Sequence, residues 1–460
     1  MIFDALRGPR RTAFRRIALV PFLLAALAGC GRKAPAPPER LVVFGIDGAD
    51  WQRAVPLMHE GRMPVLARLA RSGARRTLRS LPPSANGVEW LSPAIWTTVA
   101  TGVVPERHGI LNFVTPGPGG KLQPMTSNQR RVAALWDMLT ARKLPIGVLG
   151  WLMTWPVEPV EGYMVSSYSP FSVDWGTDFA NRPLKGTIVP GVPHQVWPED
   201  LEARLAPLKV PPDSVTPADI VDTFTHEALP PKPTDDAASS LHGLRWSWAS
   251  DETYERIYQD LARNPPGGRR PLLSLLYFGS VDVVSHRFWK YMDPATYAFG
   301  SVDPAEVAAY GQAVESAYRS VDDQLGRMVE IEGDSARVLV VSDHGFKANV
   351  DPRRKTSGWH RPQGILLAVG EGFRGGVLLG EGSVVDVAPT VLYALGLPVA
   401  EDFDGRPALD LFTSEYRSAH AVSSIASWEP EVARIREAAP VASPVDGEIL
   451  ERLKSLGYLQ

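Results

Sequence analysis

Two short apolar runs that end in acidic residues constrain the fold of this chain more than any other feature. Leu41–Ile46 is followed by Asp47, and Val338–Ser342 is followed by Asp343 and His344. Runs of this length that are rich in β-branched residues indicate buried strands. The polar residues that end them lie in a setting that suits a ligand better than a solvated surface.

Further apolar runs alternate with helical patterns along the chain. The other candidate strands are Ile146–Gly150, Leu272–Tyr277, Gly364–Gly370 and Gly376–Leu379. The candidate helices include Met63–Ser72, Arg131–Arg142 and Asp303–Ile331, with a short amphipathic helix from Asp446. Strands that alternate with helices predict an α/β fold with a mainly parallel central sheet flanked by helices. In such sheets ligands gather beyond the carboxyl ends of the strands, where Asp47 and Asp343 fall.

The N-terminus has the pattern of an export signal. Several arginines precede the apolar stretch Ile17–Gly29, which is too short for a transmembrane helix. The stretch ends in Leu27-Ala28-Gly29-Cys30, which looks like the lipobox of a bacterial lipoprotein. That resemblance implies lipid attached to Cys30 and anchoring in the bacterial envelope, with Gly31 favouring the outer membrane facing the periplasm. The alternative is a buried N-terminal helix with an incidental cysteine.

Composition divides the chain and excludes some partners. The predicted segments are a lipoprotein signal peptide at 1–30, a Pro-rich tether at 31–40, a core at 41–160 and 270–415, an inserted cap at 161–269 and a C-terminal helical tail at 416–460. Cys30 is the only cysteine, so stability must come from the core and from bound metal rather than from disulfides. The net charge is −3 and no basic stripe occurs, so we expect no nucleic-acid binding.

A second set of polar residues adds to the strand-end acids. Asp282 and His286 have the i, i+4 spacing that places two side chains on one helical face, and His360 follows later in the chain. Carboxylate and imidazole ligands without a thiolate suit Zn²⁺, with Mn²⁺ as the alternative. The whole set can hold two ions, which is typical of phosphoryl transfer. Taken singly, Asp47 could be a capping residue and the Asp282–His286 pair a surface contact.

Five motifs in order resemble the alkaline phosphatase superfamily, and above all its type I phosphodiesterase and nucleotide pyrophosphatase branch. They are Leu41–Asp50, Thr101–Ile110, Asp282–His286, Ser342–Phe346 and Gly358–Pro362. The resemblance implies an alkaline-phosphatase-like sandwich, with the cap inserted into it, and a site for two Zn²⁺ ions. It implies that one ion is held by Asp282, His286 and His360. It implies that the other is held by Asp47, Asp343 and His344 together with the nucleophile.

The resemblance also identifies the nucleophile. Relatives have it nine residues before the Thr of a Thr-Gly pair, and counting back from Thr101 gives Ser92. Many phosphodiesterase relatives have Thr there with Pro two positions later, whereas Ser92 is followed at once by Pro93. Thr97 and Thr98 therefore remain as rivals.

The resemblance implies a two-metal phosphoric ester hydrolase that acts on a phosphoester through a phospho-enzyme. A phosphodiesterase or nucleotide pyrophosphatase is expected first. A phosphomonoesterase or phosphotransferase of the same superfamily, or a catalytically silent envelope lipoprotein, is the alternative. A sulfatase is excluded because Ser92–Trp96 lacks the Cys/Ser-x-Pro-x-Arg pattern. Asn112 lies one residue from where relatives have an Asn that binds a phosphate oxygen. Four tryptophans of the cap could stack on a substrate or belong to the core, namely Trp175, Trp197, Trp246 and Trp248.

Overall fold

In the computed structural model of this chain, the apolar runs form the centre of a mixed sheet of ten described strands. The structure describes residues 40–84, 89, 91–117, 120–167, 193–298, 301–333, 337–351, 356–432, 441–443 and 446–455. The predicted signal peptide with Cys30, the tether up to residue 39 and Trp175 lie outside the described residues. Among the described residues, no helix has the length and apolarity needed to cross a bilayer.

The strands and helices alternate along most of the chain. The described strands are β1 Leu41–Ile46, β2 Ala74–Arg79, β3 Val114–Pro116, β4 Leu122–Pro124, β5 Ile146–Leu149, β6 Gly162–Val165, β7 Val196–Trp197, β8 Leu273–Phe278, β9 Arg337–Val341, β10 Gly345–Ala348, β11 Gly358–Arg361, β12 Gln363–Val369, β13 Val377–Leu378, β14 Gly382–Ser383, β15 Val399–Ala400 and β16 Ser424–Ile425. The described α-helices are α1 Trp51–His59, α2 Pro64–Ser72, α3 Ser92–Thr101, α4 Pro105–His108, α5 Leu135–Ala141, α6 Leu201–Leu205, α7 Pro217–Ile220, α8 Asp235–Arg263, α9 Ser280–Met292, α10 Pro304–Tyr310, α11 Ala313–Glu332, α12 Val387–Ala394, α13 Ser414–Ala419 and α14 Asp446–Ser455.

Parallel pairing sets β1 at the centre of the sheet. β1 pairs with β8 on one side and with β9 on the other, both in parallel. On the far side of β8, β5 pairs with β8 and β6 pairs with β5, again in parallel. β12 runs antiparallel between β9 and β2. The sheet is therefore parallel in its middle with antiparallel pairs towards its edges. This confirms the predicted α/β fold with a mainly parallel central sheet.

Both faces of β1 are buried, which explains its continuous apolar run. Val42, Phe44 and Ile46 pack into a core that includes residues of α8, α9 and α11. Leu41 and Val43 pack into a second core that includes residues of α3, α5 and α12. Successive side chains of a strand point to opposite faces, so a strand covered on both sides is apolar at every position.

The predicted strands agree with the observed ones to within one residue at each end, whereas two helices differ. The predicted helix Asp303–Ile331 is two helices, α10 and α11, interrupted at Gly311, because glycine is a weak helix former. The predicted helix Arg131–Arg142 begins only at Leu135. Arg130 Nε donates to the Val132 carbonyl at 3.0 Å, and this contact holds the preceding segment in a non-helical path.

The predicted insertion contributes to the main body of the fold. Its described part supplies β6 and β7 at one edge of the sheet and the 29-residue helix α8, which packs on α9. Trp246 is buried, Trp248 packs edge-on against Phe224 with ring centroids 5.9 Å apart, and Trp197 Nε1 donates to the Val160 carbonyl at 3.0 Å. These three tryptophans therefore pack within the protein. The cap boundaries stay a prediction.

Candidate metal centre

The strand order brings the predicted acids to one edge of the sheet. Asp47 follows β1, and Asp343 and His344 follow β9, a parallel neighbour of β1. Asp282 lies in the first turn of α9, which begins just after β8, the other neighbour of β1. The carboxyl ends of parallel strands meet at one edge of a sheet, so residues from three distant parts of the chain converge there.

Asp47, Asp343 and His344 form a fully buried group. His344 Nε2 lies 3.3 Å from Asp47 Oδ1 and 3.4 Å from Asp343 Oδ2. Asp343 Oδ1 accepts hydrogen bonds from the backbone N–H groups of Gly48 at 3.2 Å and His344 at 3.0 Å. Asp343 Oδ2 accepts no hydrogen bond from the described residues. A buried carboxylate oxygen without a donor is costly, and a bound cation would remove that cost.

Asp282, His286 and His360 form a second group. His286 Nε2 lies 2.9 Å from His360 Nε2, and Asp282 Oδ1 lies 3.5 Å from each of these nitrogens. Asp282 and His286 reach the group from adjacent turns of α9, whereas His360 comes from β11. His286 Nδ1 faces the carbonyl oxygen of Gly358 at 3.0 Å. This contact orients the ring so that Nε2 points to Asp282 and His360.

His344 joins the two groups. Its Nε2 lies 3.8 Å from Asp282 Oδ1, and its ring stacks on that of His360 with centroids 3.8 Å apart. Two sets with all ligand atoms within 4.8 Å of one another are Asp47–Asp343–His344 and Asp282–His344–His360. We call the whole cluster the acidic centre, and its members are Asp47, Asp282, His286, Asp343, His344 and His360. Carboxylate and imidazole ligands of this kind fit Zn²⁺ or Mn²⁺.

Ser92 is the first residue of α3, and its side chain faces the acidic centre. Its Oγ lies 3.4 Å from Asp47 Oδ1 and 3.2 Å from His344 Nε2. The hydroxyls of Thr97 and Thr98 donate instead to carbonyl oxygens four residues earlier in their own helix. Of the three candidate nucleophiles, only Ser92 therefore has a described contact with the acidic centre.

Asn112 has a local contact. Its Oδ1 accepts a hydrogen bond from the Phe113 N–H at 2.7 Å, which orders the chain just before β3. This hydrogen bond does not connect Asn112 with the acidic centre. A role for Asn112 in binding phosphate stays a prediction.

Burial and mutual charge separate the pKa values within the acidic centre. Burial and the charge of Asp47 hold the pKa of Asp343 well above its usual range. Burial alone would raise the pKa of Asp47 too, but the hydrogen bond and charge of His344 outweigh it and the net pKa is lowered. Burial opposes protonation of His344, yet Asp343 and Asp47 raise its pKa to about 10, while burial lowers the pKa of His286 to about 3. The raised pKa of His344 favours positive charge beside Asp47 and Asp343, which a bound metal ion would replace, whereas the lowered pKa of His286 favours the neutral form that binds metal.

Asp50 connects the elements that carry the acidic centre, and this role was not predicted from the sequence. It is buried and caps the start of α1, its Oδ2 accepts the Phe346 N–H at 3.1 Å, and Arg361 lies 3.1 Å from its Oδ1. Gly345 leaves room for it, because a Cβ at that position would come within 2.4 Å of Asp50 Oδ2. Asp50 thereby ties the end of β1 to the β10–β11 hairpin that carries His360. The sequence feature that could have indicated Asp50 is an N-cap pattern, in which an Asp directly precedes a helix.

The family to which the chain belongs is consistent with a candidate metal centre at this position. The chain matches the type I phosphodiesterase / nucleotide pyrophosphatase family over residues 41–393, which include Ser92 and the whole acidic centre. It belongs to that family of metal-dependent phosphoric ester hydrolases. No curated protein sequence matches the chain.

Solved structures that resemble this fold are distant in sequence. Murine ectonucleotide pyrophosphatase/phosphodiesterase 5, solved in complex with AMP, is 12% identical, with 82% of this chain and 100% of that chain covered and a TM-score of 0.45. Phosphonoacetate hydrolase from Sinorhizobium meliloti 1021, in complex with phosphonoformate, is 19% identical, with 70% of this chain and 60% of that chain covered and a TM-score of 0.37.

Proposed function

We propose that this protein hydrolyses phosphodiesters or nucleotide pyrophosphates, with two bound metal ions and Ser92 as the nucleophile. Membership of the family supports the reaction class. The observation that carries the assignment of Ser92 is the position of its Oγ, within 3.4 Å of Asp47 Oδ1 and 3.2 Å of His344 Nε2. A hydroxyl between a carboxylate and an imidazole that can both bind metal is one whose proton can be withdrawn.

The two ligand groups divide the ions between them. We assign one Zn²⁺ ion to Asp282, His286 and His360. We assign the other to Asp47, Asp343, His344 and Ser92, with Mn²⁺ as the alternative metal. When bound, the two ions stabilise charge on the phosphoryl and leaving oxygens and favour the deprotonated serine.

The serine carries out the bond changes. Ser92 Oγ attacks phosphorus in line with the leaving oxygen, so an Oγ–P bond forms as the ester P–O bond breaks. The Ser92 proton passes to solvent and the departing alcohol takes up a proton from water, so no proton is gained or lost in this step. Water then attacks the serine phosphate, which restores the hydroxyl and releases the phosphate product. The N-terminus of α3, where Ser92 lies, favours the negative charge of the phosphoryl group.

Turnover of three p-nitrophenyl esters by the purified protein tests this proposal. The substrates are bis-p-nitrophenyl phosphate, p-nitrophenyl phosphate and the p-nitrophenyl ester of thymidine monophosphate. We expect the two diesters to be hydrolysed faster than the monoester, EDTA to abolish turnover and Zn²⁺ to restore it. A faster monoester would indicate a phosphomonoesterase. No turnover of any ester with Zn²⁺ or Mn²⁺ would favour the catalytically silent lipoprotein.

We also propose that the protein is a lipoprotein of the bacterial outer membrane, facing the periplasm. The support is the basic and apolar pattern of residues 1–30 and the sequence Leu27-Ala28-Gly29-Cys30. Labelling of cells with a radioactive fatty acid should mark the wild-type protein and leave Cys30→Ala unmarked. Equal labelling of the two proteins, or labelling of neither, would reject the lipid anchor.

A further inference from the structure

The carboxylate of Asp47 is held by two side-chain donors that lie outside the predicted ligand set. Trp96 Nε1 donates to Asp47 Oδ2 at 3.1 Å, and the Tyr277 hydroxyl donates to the same oxygen at 2.5 Å. Asp47 Oδ1 faces the other way, 3.4 Å from Ser92 Oγ and 3.3 Å from His344 Nε2. One oxygen of this carboxylate is therefore occupied by donors, while the other faces the nucleophile and the acidic centre.

Packing fixes the position of the Trp96 indole. The side chain is fully buried and makes edge-on contacts with Trp151, at 4.9 Å between ring centroids, and with Tyr277, at 5.3 Å. Trp151 Nε1 also donates to the backbone carbonyl of Trp96 at 3.2 Å. Gly45 of β1 leaves space for the indole, because a Cβ there would come within 2.8 Å of the Trp96 ring. The indole is thus fixed by aromatic rings and by a strand that has no side chain at the point of contact.

Helix α3 connects this contact with the nucleophile. Ser92 and Trp96 are one turn apart, so their side chains lie on the same face of the helix. Each of them reaches a different oxygen of Asp47. The hydrogen bond from Trp96 therefore fixes the rotation of the Asp47 carboxylate. Because Trp96 and Ser92 belong to the same helix, it also fixes the distance between Ser92 Oγ and Asp47 Oδ1.

We propose that Trp96 and Tyr277 are positioning residues that hold Asp47 as a one-oxygen metal ligand, with Oδ1 directed at the ion that Ser92 joins. The terminal torsion of an aspartate is otherwise broad, so the two oxygens could exchange or both approach the ion. Donors to the outer oxygen of a ligating carboxylate remove that freedom and set the affinity of the site. This inference rests on the proposed two-metal function.

Stepwise Zn²⁺ affinities, measured on the purified protein by competition with a chromogenic chelator, test the inference. Trp96→Phe and Tyr277→Phe should each weaken one of two Zn²⁺ binding steps by about 10- to 100-fold and leave the other step unchanged. Two matched controls lose the same chemical groups from carboxylates outside the acidic centre. Trp136 Nε1 donates to Glu158 at 2.7 Å and the Tyr291 hydroxyl to Glu306 at 3.1 Å, so Trp136→Phe and Tyr291→Phe should keep both affinities.

The outcomes separate the inference from the proposed function. A wild-type protein that does not bind two Zn²⁺ ions would overturn the proposed function and this inference with it. Two wild-type sites with unchanged affinities in Trp96→Phe and Tyr277→Phe would overturn the positioning role alone. Equal weakening in the control variants would also overturn it, since the effect would then follow general loss of stability. Tyr277→Phe removes a single oxygen atom and decides the outcome if Trp96→Phe does not fold.

Discussion

Two buried carboxylate clusters of this protein are built alike and differ in their positive charge. In the first, which we call the guanidinium cluster, Arg130 lies 2.7 Å from Asp137 and 3.0 Å from Glu158. An indole N–H from Trp136 completes the contacts of Glu158. The second is the acidic centre, where an indole likewise donates to a buried carboxylate.

The positive partner distinguishes the two clusters. Burial opposes the charge of Arg130, but Glu158 and Asp137 raise its pKa above the ordinary value, so the guanidinium stays charged. The described ion-pair partner of Asp47 and Asp343 is His344. A histidine can release its proton and offer a lone pair to a metal, whereas an arginine cannot. Buried acid alone therefore does not distinguish the two clusters, whereas the kind of positive charge beside it does.

The largest effect is expected from the nucleophile of the acidic centre. Ser92→Ala should lower turnover of bis-p-nitrophenyl phosphate on the order of 10³-fold or more, because no other described hydroxyl of α3 reaches the centre. The free energy of unfolding should change little. Thr97→Val is the control and should remain active. Full activity in Ser92→Ala combined with its loss in Thr97→Val would transfer the role to Thr97.

The guanidinium cluster should show the opposite behaviour. Arg130→Met should lower the free energy of unfolding by about 3–5 kcal/mol, because the buried Asp137 and the largely buried Glu158 would remain without their positive partner. Activity per folded molecule should stay near the wild-type value. Replacing all three residues by apolar ones should recover much of the stability. A variant Arg130→Met that folds normally but lacks activity would remove the distinction between the two clusters.

Metal should stabilise one cluster and leave the other unaffected. Zn²⁺ at about 100 times its dissociation constant should raise the free energy of unfolding by about 2.7 kcal/mol for each occupied site. Urea unfolding of EDTA-treated protein with and without Zn²⁺ measures this gain. Asp343→Asn should lose the gain of one site, while Asp137→Asn should keep both. An equal stabilisation of the two variants by Zn²⁺ would contradict the assignment of metal to the acidic centre.

A pH-dependent effect, smaller than the others per pH unit, is expected from Asp251, a buried acid with backbone partners. It accepts the N–H groups of Gly279 and Ser280 at 2.9 Å each, at the start of α9, and burial raises its pKa from 3.8 to about 7. The raised folded-state pKa means that protonated Asp251 stabilises the fold below about pH 4 and that this contribution is lost as the pH rises to about 7. Wild type should therefore lose stability relative to Asp251→Asn by about 1.4 kcal/mol per pH unit across that window. A difference in unfolding free energy that stays constant from about pH 5 to about pH 7 would contradict the assignment.

The sequence predicted the strands and the acids at their ends better than the residues that contact those acids. Asp47 and Asp343 each end a strand buried on both faces, and such a strand has a continuous apolar signature. Trp96 and Tyr277 lie 49 and 230 positions from Asp47 in the sequence, and no local sequence pattern predicts contacts between residues so far apart. Their role follows from strand order and helix packing, which a single sequence does not specify.

Helix α8 was missed for a different reason. Its buried face contains Ser240, Gly243, Ser247 and Asp251, so the apolar stripe that predicts a core helix is interrupted. Small residues are needed because α9 lies close, and a Cβ at Gly243 would come within 2.4 Å of Arg287 Nε. The region was consequently predicted as an inserted cap, without a long helix.

The central place of β1 has a consequence for biosynthesis. Its two partners, β8 and β9, begin only at Leu273 and Arg337, so β1, the first of the described strands to be synthesised, is among the last to acquire neighbours. Until then both of its edges are unpaired and can associate with other chains. A nascent or truncated polypeptide that stops before Arg337 cannot assemble the acidic centre, because Asp343, His344 and His360 all lie beyond that point.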